Sequence, residues 1–199
     1  KVLAITRTKT FERTKNIEEL SGDFNNEALI ESLENLIDKS NLKYVFSVVG
    51  SFSNQSFEET SVPLLLVQIA NNVGSIHGIC QMLVNKVLKQ NLHLQFVFIG
   101  AKSSFDITQA VHYPAYNLAK HLLYQYVKML REILKQNSSN LTIIAPEKIS
   151  NEASSSENDI NSEQLAHLLV NLTSKQLNIT HIFSVLTVEK KQLIEFKIT

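Results

Sequence analysis

Tyr116 and Lys120 stand four residues apart in the stretch Tyr116-Asn117-Leu118-Ala119-Lys120, with Ser103 and Ser104 just upstream. A helix turns about 100° per residue, so positions i and i+4 share a face, one turn apart. A lysine ammonium placed there reaches the surroundings of the phenol and favours its ionised form, lowering a pKa that starts near ~10. A tyrosine tuned in this way gives or takes a proton near neutral pH. The same spacing also has a plain structural reading, a half-buried Tyr beside a solvated Lys. The elements that carry the pair weigh between the two.

Val2 to Thr6 is a short apolar run that ends at Arg7, and it reads as a buried strand. A polar, charged stretch follows over 8–16. Ile17 to Leu20 is a weaker strand candidate, stopped by Ser21-Gly22-Asp23. Asn25 or Asn26 can cap a helix from Glu27 to about Lys39, with Ala28, Leu29, Leu33, Leu36 and Ile37 along one stripe. Leu42 to Val49 predicts a strand that stops at Gly50-Ser51. A long apolar helix is expected from about Val62 to Gln90, with a break near Asn71-Asn72 or a close backbone approach at Gly74 and Gly78. His93 to Ile99 predicts the next strand, and a loop over 101–114 leads to a helix from about Tyr116 to Lys135. Leu141 to Ala145 is a strand ending at Pro146, and 147–160 is a polar loop rich in Ser, Asn and Glu. Ser162 or Asn161 caps a helix from Glu163 to about Ser174, followed by strands over 179–188 and 192–198.

Strands thus alternate with helices, and the strands are continuous apolar runs. That pattern predicts an α/β fold, a Rossmann-like, doubly wound parallel sheet with helices on both faces. Ligands of such sheets bind at the carboxyl ends of strands. Arg7, Asp23, Gly50, Ser103 and Pro146 all follow strands.

The chain has 199 residues, 44% of them hydrophobic, enough for the core of one domain over 1–199. Nineteen Lys and Arg balance nineteen Asp and Glu, so neither a nucleic-acid partner nor an anionic membrane is expected. No run of ~18 uninterrupted apolar residues announces a membrane span. Cys80 is the only cysteine; it precludes an internal disulfide and fits a reducing, cytoplasmic setting. The six histidines have no partner at metal-ligand spacing, and no metal site is expected.

With these residues in place, the chain resembles a divergent member of the short-chain dehydrogenase/reductase family, from that family's second strand to its last. Asn72, Ser103, Tyr116 and Lys120 are similar to its Asn…Ser-x12-Tyr-x3-Lys tetrad at the usual separations. Phe98-Ile99-Gly100-Ala101 resembles the strand that delivers the serine, and Ala145-Pro146 the turn that shields the nicotinamide. Arg7 falls where an Arg commonly meets a 2′-phosphate, Asp23 where an Asp contacts the adenine, and Gly50 where the family keeps a Gly after its fourth strand. The resemblance implies an NAD(P)-dependent oxidoreductase, with NADP favoured over NAD by Arg7. Tyr116 would be the general acid or base, and Lys120 would lower its pKa and hold a ribose hydroxyl. Ser103 would bond the oxygen of a small carbonyl or alcohol substrate, and Asn72 would help place a water. It also implies a homodimer or homotetramer built from the two long helices.

The departures are specific. The family's Thr-Gly-x3-Gly-x-Gly phosphate turn is not found, and none of the five glycines lies in such a run. Because the chain opens with the second strand, a further strand-turn-helix unit is expected upstream; without it the sheet has a gap where its central strand belongs. Ser47-Val48-Val49-Gly50 stands for Asn-Asn-Ala-Gly, and Glu147 follows Pro146 where the family has Gly, setting a carboxylate beside the nicotinamide pocket. Aligned on the strand, Ala101 takes the serine position in place of Ser103, and Ser104 is a further candidate. Asn72 has a second reading, fixing a helix kink through a backbone carbonyl. Arg7 has one as an exposed surface residue, and Asp23 one as a turn residue. The alternative function these departures raise is a catalytically inactive dimerisation or interaction module.

Overall fold

Short apolar runs that end in a glycine or a polar turn become strands here, and the amphipathic stretches between them become covering helices. The computed structural model describes residues 2–8, 16–38, 40–150, 159–174, 183–189 and 192–195. Residues 9–15, Lys39, the middle of the polar stretch 147–160, the start of the strand expected over 179–188, the end of that over 192–198, and His181 lie outside the described residues.

In chain order, β1 (Val2–Thr6) pairs in parallel with β2 (Ile17–Ser21), Val2 opposite Ile17. Helix α1 (Glu27–Asp38) is capped by Asn26, whose Oδ1 accepts from the amides of Ala28 and Leu29 at 2.9 and 3.3 Å. After β3 (Tyr44–Ser47), Ser61 caps α2 (Val62–Ile69) through the amide of Leu64. A π-helical turn, Ala70–Gly74, joins α2 to α3 (Ser75–Gln90), so the expected break falls at Asn71-Asn72. Next come β4 (Gln95–Ile99), a 3₁₀ turn at Lys102–Phe105, the short α4 (Ile107–Ala110) and the long α5 (Pro114–Leu134). Then follow β5 (Asn140–Ile144), the short parallel pair β6 (Lys148–Ser150) and β7 (Asp159–Asn161), and α6 (Ser162–Ser174). Asn161 caps α6 reciprocally with Gln164, each side chain taking the other's amide at 2.8 and 3.0 Å. Strands β8 (Phe183–Glu189) and β9 (Gln192–Glu195) close the described chain.

The main sheet has the order β3-β4-β5-β8-β9, parallel except for the antiparallel β8–β9 pair. Alternate strand residues face opposite sides, and the two faces hold two cores. Phe96, Phe98, Leu141 and Ile143 pack with Leu33 and Ile37 of α1, Ile76, Leu83 and Val87 of α3, and Leu123, Val127 and Leu134 of α5. On the other face Val97, Ile99 and Ile144 pack with Ile160 and with Leu165 and Leu172 of α6. The expected doubly wound arrangement is therefore present, with helices on both faces.

The strands β1 and β2 form a sheet of their own, with no ladder to β3. Leu3, Ile5 and Leu20 nevertheless pack on the same core as Val45 of β3. Val2 at the start of β1 and Val48 just past β3 are exposed, 56% and 60%.

The run Val62–Gln90 meets the length and composition of a membrane span, contrary to the sequence reading. Its α3 half is built into the protein core through Ile76, Cys80, Leu83, Val84 and Val87.

Candidate active site

Four segments deliver the site to the carboxyl ends of β3, β4 and β5. Pro114 opens α5 in its first turn, where its missing amide costs nothing and its fixed φ suits the helix. Tyr116 and Lys120 follow on one face. The Lys120 ammonium is buried and lies 5.9 Å from the centre of the Tyr116 ring. It donates to the carbonyl of Ile99, the last residue of β4, at 3.0 Å.

Asn72 reaches the same place from the π-helical turn. Its Nδ2 donates to the carbonyl of Gln68 at 2.9 Å and to that of Ser51 at 3.1 Å. In a regular helix the Gln68 carbonyl would belong to the Asn72 backbone amide, so the side chain competes with the backbone for it. This is the kink-fixing role read in the sequence. It accounts for Nδ2 only: Asn72 Oδ1 is fully buried and has no partner. A buried amide oxygen without a donor is costly, on the order of 1–3 kcal/mol.

Gly50 explains where that oxygen points. A Cβ built at Gly50 would lie 2.4 Å from Asn72 Oδ1 and 3.0 Å from Lys120 Nζ, and its φ of +158° disfavours side chains in any case. An unpartnered acceptor and an ammonium with protons to spare thus converge on one α-carbon. A small hydroxyl-bearing group there could accept from Lys120 and donate to Asn72.

The charges differ from the sequence expectation. Burial pushes the Tyr116 phenol up to about 12, and burial brings the Lys120 ammonium down to about 8. Loss of hydration penalises the charged form of each group more than the pair compensates. The ring of Tyr116 is covered by Phe52, edge-on at 5.0 Å, and Phe52 meets Tyr113 in the same way at 5.2 Å.

Ser103 Oγ donates to Asn117 Oδ1 at 2.6 Å, and Asn117 is held in turn by the Ala110 carbonyl at 3.2 Å. Ser104 Oγ is turned to the Ala101 carbonyl. Ala101 is extended and buried, and the amides of its neighbours Gly100 and Lys102 continue the ladder to Ile144 and Pro146. Ala101 therefore lies on the direct continuation of β4, and Ser103 in the turn after it.

Arg7 is exposed and donates to Asn71 Oδ1 at 3.1 Å, with its guanidinium 6.0 Å from the Phe24 ring. Asn71 donates to Ser51 Oγ, which donates to Gln68 Oε1. Asp23 makes an Asx turn through the Asn25 amide, its plain structural reading. Pro146 is buried at the end of β5, and Glu147 beside it is paired with Lys102 at 3.5 Å.

Phe52, Asn117, Gln68 and Lys102 were not singled out in the sequence. Phe52 and Lys102 lie within two residues of Gly50 and Ser103, the one signal that could have found them.

No family model and no curated protein matches the sequence. Solved structures do match in shape. A short chain dehydrogenase from Bacillus anthracis superposes with a TM-score of 0.78 at 16% identity, over 96% of this chain and 85% of its own. Serine dehydrogenase from Escherichia coli gives 0.76 at 17% identity, over 93% and 84%. A 4-hydroxyisoleucine dehydrogenase complexed with NADH gives 0.69 at 14% identity, over 91% and 82%. The chain has the fold of the short-chain dehydrogenases.

Proposed function

We propose that the protein is an NAD(P)-dependent oxidoreductase of the short-chain dehydrogenase/reductase type, reducing a carbonyl or oxidising an alcohol by hydride transfer. The observation that carries this reading is the convergence of Lys120 Nζ and the unpartnered Asn72 Oδ1 on Gly50, one helical turn from Tyr116. The similarity in fold to dehydrogenases, one of them complexed with NADH, supports it.

The residues suit a nicotinamide cofactor at one end. Gly50 offers a backbone stripped of Cβ, with a donor and an acceptor already aimed beside it. Lys120 would hold a ribose hydroxyl there, and Pro146 would border the ring. Arg7 would meet a 2′-phosphate and Asp23 the adenine, which favours NADP over NAD. The described residues carry no glycine turn for the pyrophosphate. When bound, the nicotinamide supplies or takes the hydride.

In reduction, Tyr116 gives its proton to the substrate oxygen as negative charge grows there. The phenolate it leaves is offset by the Lys120 ammonium, which the Ile99 carbonyl keeps in reach. Ser103, with its own proton committed to Asn117, offers lone pairs to the hydroxyl of the alcohol that forms. Asn72 Oδ1 accepts from a water or hydroxyl in the proton path.

We also propose a homodimer or homotetramer. α2 and α5 leave Val62, Leu66, Leu118, Leu122, Met129 and Ile133 largely exposed, an apolar surface a second copy would cover.

A second reading, a catalytically inactive dimerisation or interaction module, is favoured by Glu147, which sets a carboxylate beside Pro146 at the end of β5. Titration of the protein with NADPH and NADH, followed by thermal shift, separates the two. Stabilisation by a nicotinamide and loss of turnover in Tyr116→Phe support the enzyme; no binding of either nucleotide supports the module.

A further inference from the structure

Phe52 is 61% exposed, yet its backbone is not loose. On one side, Ser51 accepts from Asn72 at its carbonyl and from Asn71 at its hydroxyl. On the other, Ser53 is buried and donates to Gln55. The loop is fixed further by Thr60 bonding the Ser56 carbonyl and Ser56 bonding Glu59. An apolar ring is thus held out into solvent by anchored neighbours, against the tendency of such rings to bury.

The ring is aimed at the site. It meets Tyr116 edge-on at 5.0 Å and Tyr113 at 5.2 Å, and Tyr113 is itself 40% exposed. Aromatic pairs favour this arrangement and leave ring faces free for a third partner. Among the described residues no cation lies over Phe52 or Tyr113. Lys120 is bonded to Ile99 beneath Tyr116, and Lys102 is engaged by Glu147. An anionic substrate group would lose hydration there without gaining a partner, whereas an apolar ring gains contact on two sides.

We propose that Phe52 and Tyr113 form a substrate subsite beside Tyr116 that selects neutral carbonyl compounds carrying an aromatic or similarly flat apolar group. This rests on the oxidoreductase reading for the reaction, though the binding step does not. The flat group stacks on the exposed face of Phe52, and the carbonyl oxygen is directed to the Tyr116 hydroxyl. Phe52 is then a specificity-determining residue that also sheds water from the phenol.

The test uses the full chain and 2-acetonaphthone. The protein has no tryptophan, so naphthyl fluorescence is read without interference. Calorimetry and fluorescence titration should show saturable binding, weakened about tenfold or more in Phe52→Ala and partly restored in Phe52→Leu. Tyr116→Phe keeps the ring that Phe52 meets and loses only the hydroxyl's bond to the carbonyl, so it should weaken the probe by less than Phe52→Ala does. The melting temperature of Phe52→Ala should stay near that of wild type, because the ring is mostly exposed. Absence of binding to the wild type, equal binding to Phe52→Ala, or tighter binding of the carboxylate-bearing 2-oxobutanoate would overturn the subsite. Retained probe binding with no affinity for NADPH or NADH would instead sink the oxidoreductase reading and leave the subsite standing.

Discussion

Lys120 is bonded to the carbonyl of Ile99 at 3.0 Å, so the cation of the site is fastened to the end of a central strand. Its freedom to meet Tyr116 is set by that bond and by burial, not by helical spacing alone. Burial lowers the Lys120 pKa to about 8 from its usual 10.5. Between those values the unfolded chain binds more protons than the folded one, so the contribution of Lys120 to stability rises with pH. The rise is on the order of 3 kcal/mol across that window. Chemical denaturation of wild type against Lys120→Met from pH 7 to 10.5 measures it. Wild type should gain on the variant as pH increases, and parallel curves would refute the lowered pKa.

Gly50→Ala should be damaging in two ways. Its Cβ would press on Asn72 Oδ1 and Lys120 Nζ in a backbone conformation that side chains avoid. A loss of ~1–3 kcal/mol is expected from strain and crowding together. Urea unfolding gives the stability, and NADPH titration should show the nucleotide site closed.

Asn117 is a hidden support of Ser103. Replacing it with Ala strips Ser103 Oγ of its partner and leaves the Ala110 carbonyl with the Tyr113 amide alone, at 3.3 Å. A cost of about 1–3 kcal/mol follows for such partly buried groups. Asn117→Ala should therefore melt lower than Ser103→Ala, which removes the hydroxyl but leaves the Ala110 bond intact. Equal melting temperatures would count against the chain of bonds.

Lys86 straps α3 to α1 through Asp38 and Glu34. Burial acts to lower its pKa, but the two carboxylates outweigh it and hold it above the usual 10.5. The hydrogen bond to Lys86 holds Asp38 below its usual 3.8. The Asp38 contribution is present above about 3.8 and fades as pH falls through the lowered value; the Lys86 contribution is present below 10.5 and fades as pH climbs through the raised one. Asp38→Asn should lower the melting temperature at pH 7 and leave it little changed at pH 2.

Much of the architecture could be read from the chain. The four apolar runs that became β1, β3, β4 and β5 each stop near a polar turn, Gly or Pro, and the break at Asn71-Asn72 followed from polar residues inside an apolar helix. Their outer residues did not follow. The ladder of β3 covers only Tyr44–Ser47 of the run Leu42 to Val49, because it ends with its register to β4. The site was legible as residue types but not as bonds. Ser103 finds Asn117, and Glu147 finds Lys102, across folds of the chain that no local spacing encodes. The lysine's effect on the tyrosine was misjudged because spacing tells of nearness and not of the hydration each group surrenders.

The separate pairing of β1 with β2 has a consequence for motion. These strands are tied to the remainder by the side chains of Leu3, Ile5 and Leu20 and by Arg7 on Asn71, and among the described residues no backbone ladder crosses the divide. Side-chain contacts give way more readily than a continuous ladder. Amide protons of Val2–Thr6 and Ile17–Ser21 should accordingly exchange with solvent deuterium as one cooperative unit, well ahead of those in β4 and β5. A ligand grasped by Arg7 would slow that clock.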